Sequence, residues 1–284
     1  MVRQPAEQPQ RAFWRDQMEQ AYRFMMQILD YPVQESLEPL VSIPDALRGQ
    51  QVEILYAEQN SSRPYTPIFA LREGLIKDFV AIARALNEQG LVLRIEDAYR
   101  TPAMQRKLAL GMFDTLLQQT LWECNGNVPS ADLVLRRLTV LVATIPKIGT
   151  HISGSALDVS VVRMDDGAEL DRGAPYLELS PLTPMDSPFI PVDAQHTRQR
   201  ITEAFLRGGF LPYPFEFWHF SKGDAYEHHL RQSGQPAKYG AVEWDPRTGR
   251  VTALDNPRQS LISVEDVQLE LEQAFERLGI LASE

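Results

Sequence analysis

The 284-residue sequence contains one cysteine, five histidines and no uninterrupted apolar run of membrane-spanning length. A single cysteine excludes an intrachain disulfide, and a membrane helix would need about 20 consecutive apolar residues. The opening stretch, "MVRQPAEQPQRAFWRDQMEQ", carries recurring charges and lacks the apolar core of a secretory signal. We therefore expect a cytoplasmic protein that does not act at a membrane.

Basic residues are also fewer than acidic ones. Lysine and arginine number 28 against 38 aspartates and glutamates, so the formal net charge is -10. A nucleic-acid-binding protein would need basic patches, and this balance argues against one. The hydrophobic fraction of 44% is enough to bury a substantial core. The composition thus favours a globular protein, and it says little about small substrates, because a local pocket can be basic on an acidic protein.

Helices and strands alternate irregularly along the chain. The 3.6-residue apolar period predicts helices at 10–29, 71–89, 102–122, 131–143, 193–208 and from 263. The helix at 131 would be capped by Ser130, and the helix near 263 by a Ser263–Asp266 capping box. Strands are predicted at 52–57, 91–100, 155–162 and 215–221, and a hairpin at 241–254. Strict strand–helix–strand alternation is missing, which favours an α+β fold with a mostly antiparallel central sheet flanked by helices.

The stretch "HISGSALD" at 151–158 pairs a histidine with an aspartate seven residues later. On an unbroken strand, that spacing puts the two side chains on opposite faces. His151 and Asp158 could hold one metal ion only if the chain turns between them, and Gly154 is placed to allow the turn. A surface turn is the alternative, because such pairs are common by chance.

A second stretch, "PFEFWHFS", places Glu216 and His219 among aromatic residues. It can be a buried strand whose histidine is satisfied by hydrogen bonds. It can also supply a metal ligand, His219, and a general base, Glu216. A carboxylate beside apolar rings has a raised pKa, which suits proton transfer.

A third stretch, "EDAYRTP", has Arg100 at the exit of a predicted strand, just before a helix that Pro102 opens. Arginines at such positions are often surface residues. Here the guanidinium could instead stabilise negative charge that develops on a carbonyl oxygen.

Together, "DAYRTP", "HISGSALDVSV" and "YPFEFWHFS", in this order, resemble the zinc D-alanyl-D-alanine dipeptidases. That group includes the vancomycin-resistance dipeptidases and shares a superfamily with DD-carboxypeptidases and the hedgehog signalling domain. Its pattern is Gly-Tyr-Arg-Pro, then Ser-x-His-x-x-Gly-x-Ala-x-Asp, then Glu-x-Trp-His. The resemblance covers roughly residues 51–230.

The resemblance implies a single Zn²⁺ in a cleft on the sheet. By position in the motifs, the zinc ligands would be His151, Asp158 and His219. Glu216 would be the catalytic base that takes a proton from zinc-activated water, and Arg100 would stabilise the transition state. The implied activity is hydrolysis of D-Ala-D-Ala or a similar short dipeptide, which belongs to cell-wall peptidoglycan chemistry.

Two further segments bear on the substrate. "YAEQNSSRPY" resembles the family's Tyr-Ala-x-x-x-Asn segment and would put Tyr56 near the substrate. "ELDRGAPYLELSP" resembles its Asp-Met-Gly-x-x-Phe-Asp loop, in which Asp171 would receive the substrate's free amino group. The chain departs from the family pattern at Ala98, which replaces a glycine, and at Gly149, which replaces a serine that helps to hold the substrate.

These segments divide the chain into three parts. Residues 1–50 are predicted to form an N-terminal helical arm, and residues 51–230 the catalytic domain. Residues 231–284 would form a hairpin and helix that pack on that domain or make an oligomer contact.

Two other functions fit the same motifs. One is a DD- or LD-carboxypeptidase that acts on peptidoglycan stem peptides, and the absence of a signal peptide together with the Asp171 loop speaks against it. The other is a non-catalytic metal-binding or partner-binding module, which would need neither Glu216 nor Arg100.

Overall fold

The computed structural model describes residues 7–58 and 64–279. The strands, in chain order, are β1 (Leu40–Ser42), β2 (Ile54–Tyr56), β3 (Ala70–Arg72), β4 (Leu91–Asp97), β5 (Ala156–Arg163), β6 (Leu211–Pro212), β7 (His219–Ser221), β8 (Val242–Asp245) and β9 (Arg250–Ala253). The helices are α1 (Glu7–Asp30), α2 (Ile43–Ala46), α3 (Glu73–Asn87), α4 (Pro102–Gly111), α5 (Phe113–Glu123), α6 (Ala131–Val142), α7 (Val192–Arg207), α8 (Ala225–Leu230) and α9 (Val264–Leu278).

Within the residues that the structure describes, the main sheet has five strands in the order β2-β4-β5-β7-β6. The α+β class is confirmed, but the expectation of a mostly antiparallel sheet is wrong, because the sheet is mixed. Strand β2 pairs parallel with β4, while β4 with β5, β5 with β7 and β6 with β7 are antiparallel. The parallel pair arises because the connection from β2 to β4 contains α3, a crossover that returns the chain in the same direction.

Helix ends follow the capping rules where the sequence carries the signal. The Ser130 hydroxyl accepts from the N–H of Leu133 at the start of α6, and Ser263 and Asp266 form the predicted capping box of α9. The prediction of one helix over 102–122 is wrong. The chain breaks between α4 and α5 at Met112, with φ -93° and ψ 0°, directly after a glycine, a weak helix former.

The predicted strand at 215–221 is shorter in the structure, where only β7 is a strand. The residues before it form a tight turn. In that turn the N–H of Glu216 donates to the carbonyl of Tyr213 at 3.3 Å, and the N–H of His219 donates to the carbonyl of Glu216 at 3.3 Å. Because of this turn, Glu216 and His219 are not on a common strand.

Two large apolar clusters and one small one fill the interior of the described residues. One large cluster packs α3 and α7 against the main sheet, with Leu157, Val159 and Val161 of β5 pointing into it. The other large cluster joins α1, α4, α5, α6, α8 and α9 and includes Tyr213 and Phe215, just before β7. The residues of β5 that alternate with the first set, Asp158 among them, point to the opposite face of the sheet.

The N-terminal and C-terminal segments both contact the central part of the chain. Helix α1 buries six side chains, which are Trp14, Met18, Ala21, Phe24, Met25 and Ile28. On the C-terminal side, the N–H of Val242 donates to the carbonyl of Ile152 at 3.2 Å, and the Tyr99 hydroxyl donates to the carbonyl of Val242 at 3.1 Å. The division at residues 50 and 230 stays a prediction.

Among residues 7–58 and 64–279, none of the helices has the length and apolar character needed to cross a lipid bilayer.

Candidate active site

A row of polar residues crosses three neighbouring strands at one end of the main sheet. Asp158 on β5 lies directly opposite Asp97 on β4 and His219 on β7. Residues directly opposite each other in antiparallel strands point to the same face. A register shift between Ile95 and Asp97 marks a bulge in β4, and it brings Asp97 rather than Glu96 opposite Asp158.

His151 reaches the same face from the loop before β5. The chain turns at Gly154, where φ is +69°, and a Cβ there would come within 2.7 Å of a methyl group of Leu40. The turn that the "HISGSALD" spacing requires is therefore present. The loop is also tied to the end of β4, because the Arg100 N–H donates to the His151 carbonyl at 3.2 Å.

His151, Asp158 and His219 converge, and we call them the metal-ligand cluster. The Asp158 Oδ1 atom lies 3.2 Å from His151 Nε2 and 2.9 Å from His219 Nδ1. One ligand atom from each of the three buried residues lies within 4.8 Å of the other two. A tetrahedral metal with bonds of about 2.0–2.2 Å needs ligand atoms roughly 3.3 Å apart, which the two separations from Asp158 Oδ1 approach.

The hydrogen bonds behind the imidazoles fit a cation at this point. His151 Nδ1 lies 2.5 Å from the carbonyl of Ala98 and must donate its proton there, because a carbonyl only accepts. The Nε2 lone pair of a neutral His151 therefore faces the Asp158 carboxylate, an arrangement that needs a proton or a cation between the two atoms. His219 Nε2 contacts the Thr150 hydroxyl at 2.8 Å, which leaves Nδ1 for the cluster.

Arg100 is buried beside the cluster in a hydrogen-bonded network. Its Nε donates to Asp97 Oδ2 at 2.9 Å, its Nη2 to Asp158 Oδ2 at 3.2 Å and its Nη1 to Gln105 Oε1 at 3.3 Å. Two tyrosines complete the network. Tyr65 donates to Asp97 at 2.5 Å, and Tyr176 donates to Asp158 Oδ2 at 3.0 Å. One oxygen of Asp158 thus faces the imidazoles while the other accepts from Arg100 and Tyr176.

The two carboxyl groups of the site have opposite pKa shifts. Burial alone would raise the pKa of Asp158, but the two imidazoles hold it well below the usual range, so it is ionised. Burial raises the pKa of Glu216 well above its usual range, the charge of Asp158 adds to the effect, and Arg100 offsets part of it. A carboxyl group that can hold a proton beside one that cannot is typical of acid–base sites.

Arg100, Glu216 and the metal-ligand cluster all line one cavity, which we call the site cavity. The rest of its wall is largely apolar and comes from α1, α4, α6 and the loops around residues 148 and 177. A site of this kind can bind a metal, hold a small substrate and move a proton in a nearly water-free space.

Comparison with known proteins agrees with this geometry. Residues 71–236, more than half of the chain, match the family model of the M15 peptidases, described as D-Ala-D-Ala dipeptidase. The chain belongs to the M15 peptidase family. All three members of the metal-ligand cluster, with Arg100 and Glu216, lie inside the matched segment. Because M15 peptidases are metal-dependent, the chain is a metallopeptidase rather than a non-catalytic binding module.

A curated D-alanyl-D-alanine dipeptidase of Synechocystis sp. is similar over most of its length. It is 25% identical over 244 residues, which cover 76% of this chain and 96% of the relative. The similarity therefore extends beyond the residues that the family model of the M15 peptidases matches.

Two residues predicted to contact substrate lie elsewhere in this M15 peptidase. Tyr56, at the end of β2, packs its ring 5.0 Å from that of Phe69 and does not line the site cavity. Asp171 is exposed, and its carboxylate accepts from the N–H of Gly173 at 2.7 Å within its own turn. Their roles stay predictions.

Three polar residues that the motifs did not single out contact the centre of this M15 peptidase. They are Asp97, Thr150 and Tyr176, which hydrogen-bond Arg100, His219 and Asp158 respectively. A sequence signal exists for two of them, because Asp97 lies in the "EDAYR" motif and Thr150 directly precedes His151. Their contacts, however, depend on how the strands pair.

Proposed function

We propose that this protein is a zinc-dependent dipeptidase that hydrolyses D-Ala-D-Ala or a similar short dipeptide, with Glu216 as general base. The proposal depends on one observation, the convergence of the metal-ligand cluster with Glu216 and Arg100 around a single buried cavity. The family match and the name of the Synechocystis relative, a D-alanyl-D-alanine dipeptidase, support it.

Two imidazoles and one carboxylate are ligands that suit zinc, and three protein ligands leave a fourth position open for water or substrate. A zinc ion held there would lower the pKa of water and polarise a carbonyl group. The ring nitrogens that face away from the cluster are held by the Ala98 carbonyl and the Thr150 hydroxyl, which fixes both imidazoles for binding.

Glu216 takes the proton of the attacking water and passes it to the leaving amine. The tight turn before β7 and the surrounding aromatic rings keep its carboxyl group out of bulk water. The resulting rise in its pKa makes the first transfer easier, because the protonated form is stabilised.

Arg100 stabilises the negative charge that develops on the scissile carbonyl oxygen. The guanidinium is held on three sides by Asp97, Asp158 and Gln105, so it needs no reorganisation when that charge appears. Its pKa is raised by the nearby carboxylates in spite of burial, so it remains charged throughout.

The first test is the replacement of Glu216 by glutamine, with zinc content and D-Ala-D-Ala hydrolysis measured together. We expect about one zinc per chain in both proteins and a fall in kcat of about 10²–10⁴-fold in the variant, the usual contribution of a general base. Glu243→Gln, a change of the same type on the exposed surface of the hairpin, is the control and should keep full activity.

The second measurement is thermal stability with and without a chelator. A metal that binds only the folded chain raises the melting temperature, so chelation should lower it. The same loss should follow from Asp158→Asn without chelator. Equal turnover by wild type and Glu216→Gln would remove the assigned base, and full activity after complete metal removal would end the zinc proposal.

A DD- or LD-carboxypeptidase is a second candidate that one observation favours. Asp171, the group predicted to hold a free amino end, is exposed and lies outside the residues that line the site cavity. Comparing a dipeptide with a pentapeptide substrate separates the two activities, since only a carboxypeptidase turns over the longer peptide well.

A further inference from the structure

The two carboxylate oxygens of Asp158 have different partners. Its Oδ1 atom faces the imidazoles of His151 and His219, at 3.2 and 2.9 Å. Its Oδ2 atom accepts from the Tyr176 hydroxyl at 3.0 Å and from Arg100 Nη2 at 3.2 Å. An ionised carboxylate only accepts hydrogen bonds, and each of its oxygens has about two acceptor sites. Two donors therefore occupy Oδ2, and Oδ1 is the oxygen that can bind a cation.

This division decides how many coordination positions a bound metal keeps open. A carboxylate can ligate a metal through one oxygen or through both. If Asp158 binds through Oδ1 alone, the cluster supplies three ligand atoms, and a zinc ion keeps a fourth position for water or substrate. If Oδ2 turned to the metal as well, it would take that position. The donors on Oδ2 oppose this turn.

Of the two donors, the Tyr176 hydroxyl is the one for which a substrate does not compete. Arg100 lines the site cavity and would bind the substrate's carbonyl oxygen in the proposed reaction. Tyr176 is not among the described residues that line the cavity, and its oxygen is the nearer donor to Oδ2. The hydrogen bond from Tyr176 can therefore persist through a whole turnover.

The ring of Tyr176 is packed beside the metal-ligand cluster. It lies edge-to-face against the ring of Trp218, with centroids 5.5 Å apart and an angle of 83° between the planes. Trp218 directly precedes His219, one of the three ligands. The packing therefore fixes the phenol relative to the cluster, and it does not depend on the hydroxyl group.

Two buried arginines fasten the loop that carries this tyrosine. The guanidinium of Arg172 donates to the carbonyl of Val159 at 2.7 Å and to the hydroxyl of Ser160 at 2.8 Å, both on β5. Arg198 on α7 donates to the carbonyls of Arg172 at 2.8 Å and of Leu182 at 2.7 Å. The position of the loop relative to β5 is thus set by hydrogen bonds outside the cluster.

We propose that Tyr176 is a positioning residue, whose hydroxyl holds Asp158 in single-oxygen ligation of the metal. It thereby raises metal affinity and keeps the fourth coordination position open. Tyr176 acts through Asp158 and contacts neither the metal nor the substrate. This inference rests on the metal binding that the proposed function requires, and not on which peptide is cleaved.

The test is Tyr176→Phe, which removes the hydroxyl and keeps the ring that packs on Trp218. Affinity for Zn²⁺ is measured by competition with a chromogenic chelator. We expect the Zn²⁺ dissociation constant to rise about 10–100-fold, the usual effect of losing a group that hydrogen-bonds a metal ligand. Tyr65→Phe is the matched control, because the Tyr65 hydroxyl donates to Asp97, which is not a member of the cluster. Its dissociation constant should stay within about twofold of the wild-type value.

A second measurement examines the open position. Co²⁺ replaces Zn²⁺, and 2-mercaptoethanol is added as a ligand whose sulfur gives a charge-transfer band on cobalt. We expect the thiol to bind the Co²⁺-loaded Tyr176→Phe variant about tenfold more weakly than the wild type, because Oδ2 competes for the position. The metal-free melting temperatures of wild type and both variants should agree within about 4 °C, since each change removes one hydrogen bond. A loosened fold would not meet this condition.

An equal Zn²⁺ dissociation constant in wild type and Tyr176→Phe would overturn the inference, as would an equal loss of affinity in Tyr65→Phe or unchanged thiol binding. None of these measurements depends on catalysis. If the wild type binds Zn²⁺ and cleaves no dipeptide, the proposed function fails, while weaker metal binding by Tyr176→Phe still supports the inference. If the wild type binds neither Zn²⁺ nor Co²⁺, both fail.

Discussion

In the proposed reaction, Asp97 would act only through Arg100. Its carboxylate accepts from Arg100 Nε at 2.9 Å and from the Tyr65 hydroxyl at 2.5 Å, and it lies opposite Asp158 across the strands. The bulge in β4 is what brings it there. Asp97 is therefore a positioning residue, because it fixes the plane of the guanidinium without lining the site cavity.

Replacing Asp97 by asparagine should lower kcat about 10–100-fold, the usual cost of losing a group behind a catalytic residue, with little change in KM or metal content. Steady-state kinetics and metal analysis check this. Asp171→Asn, outside the cavity, is the control. A rise in KM for a free dipeptide in that control would instead support the predicted contact between Asp171 and the substrate's amino group.

At the scale of single residues, the sequence predicts the candidate metal ligands, whose residue types indicate their chemistry. It misses the residues whose role depends on which side chains they contact in the folded protein. His151, Asp158 and His219 were candidates by residue type, the family resemblance joined them into one predicted site, and the structure brings them together. The hydrogen bonds of Thr150 and Tyr176 join residues 18 to 69 positions apart. No local pattern encodes such contacts, which depend on loop conformation and strand register.

At the scale of elements, a buried ion pair joins α5 to α6. Glu123 and Arg137 are both almost completely buried, and Arg137 makes two parallel bonds to the carboxylate, at 2.8 and 2.5 Å. Arg137 also contacts Glu19 on α1 at 3.0 Å. The three side chains thus link α1, α5 and α6.

Glu123→Gln should lower the free energy of unfolding by about 3 kcal/mol, because it leaves a buried guanidinium with only its partner on α1. Urea unfolding measures the loss. The double variant Glu123→Leu with Arg137→Met should recover most of it, since both charges are then removed. A loss below about 1 kcal/mol in the single variant would show that the pair is solvated in solution.

Two elements were predicted wrongly from the sequence, because tertiary contacts override the local residue pattern there. A continuous apolar period runs through 102–122, yet the chain breaks at Met112, next to a glycine that lies against Pro64. Residues 215–218 have the composition of a strand but form a turn, since Tyr213 and His219 close backbone hydrogen bonds around Glu216. Periodicity describes one element and cannot register these tertiary contacts.

At the scale of the whole molecule, the predicted N-terminal arm is part of the interior. Helix α1 lies between α5, α6 and α8, and its Met18 is fully buried. The apolar stripe of α1 was visible in the sequence, but the surface that it covers was not. The parallel pairing of β2 with β4 was missed for the same reason, because pairing partners are not encoded locally.

Met18→Ala should therefore lower the free energy of unfolding by about 2–5 kcal/mol, the range for a methionine removed from a packed core. Gln20→Ala, on the exposed side of the same helix, should change it by less than about 0.5 kcal/mol. Denaturant titration compares the two variants. A loss as small as that of Gln20→Ala would mean that α1 is a detachable arm after all.

The opposition of Asp158 and His219 across β5 and β7 has a consequence for how the chain folds. A slip of one residue between those strands would turn one of the two side chains to the far side of the sheet. A cation bound by the cluster would hold both at once, so it would favour the correct alignment of β7, which is only three residues long. Metal binding would thus favour the correct pairing of β5 with β7 while the protein folds, before any peptide is cleaved.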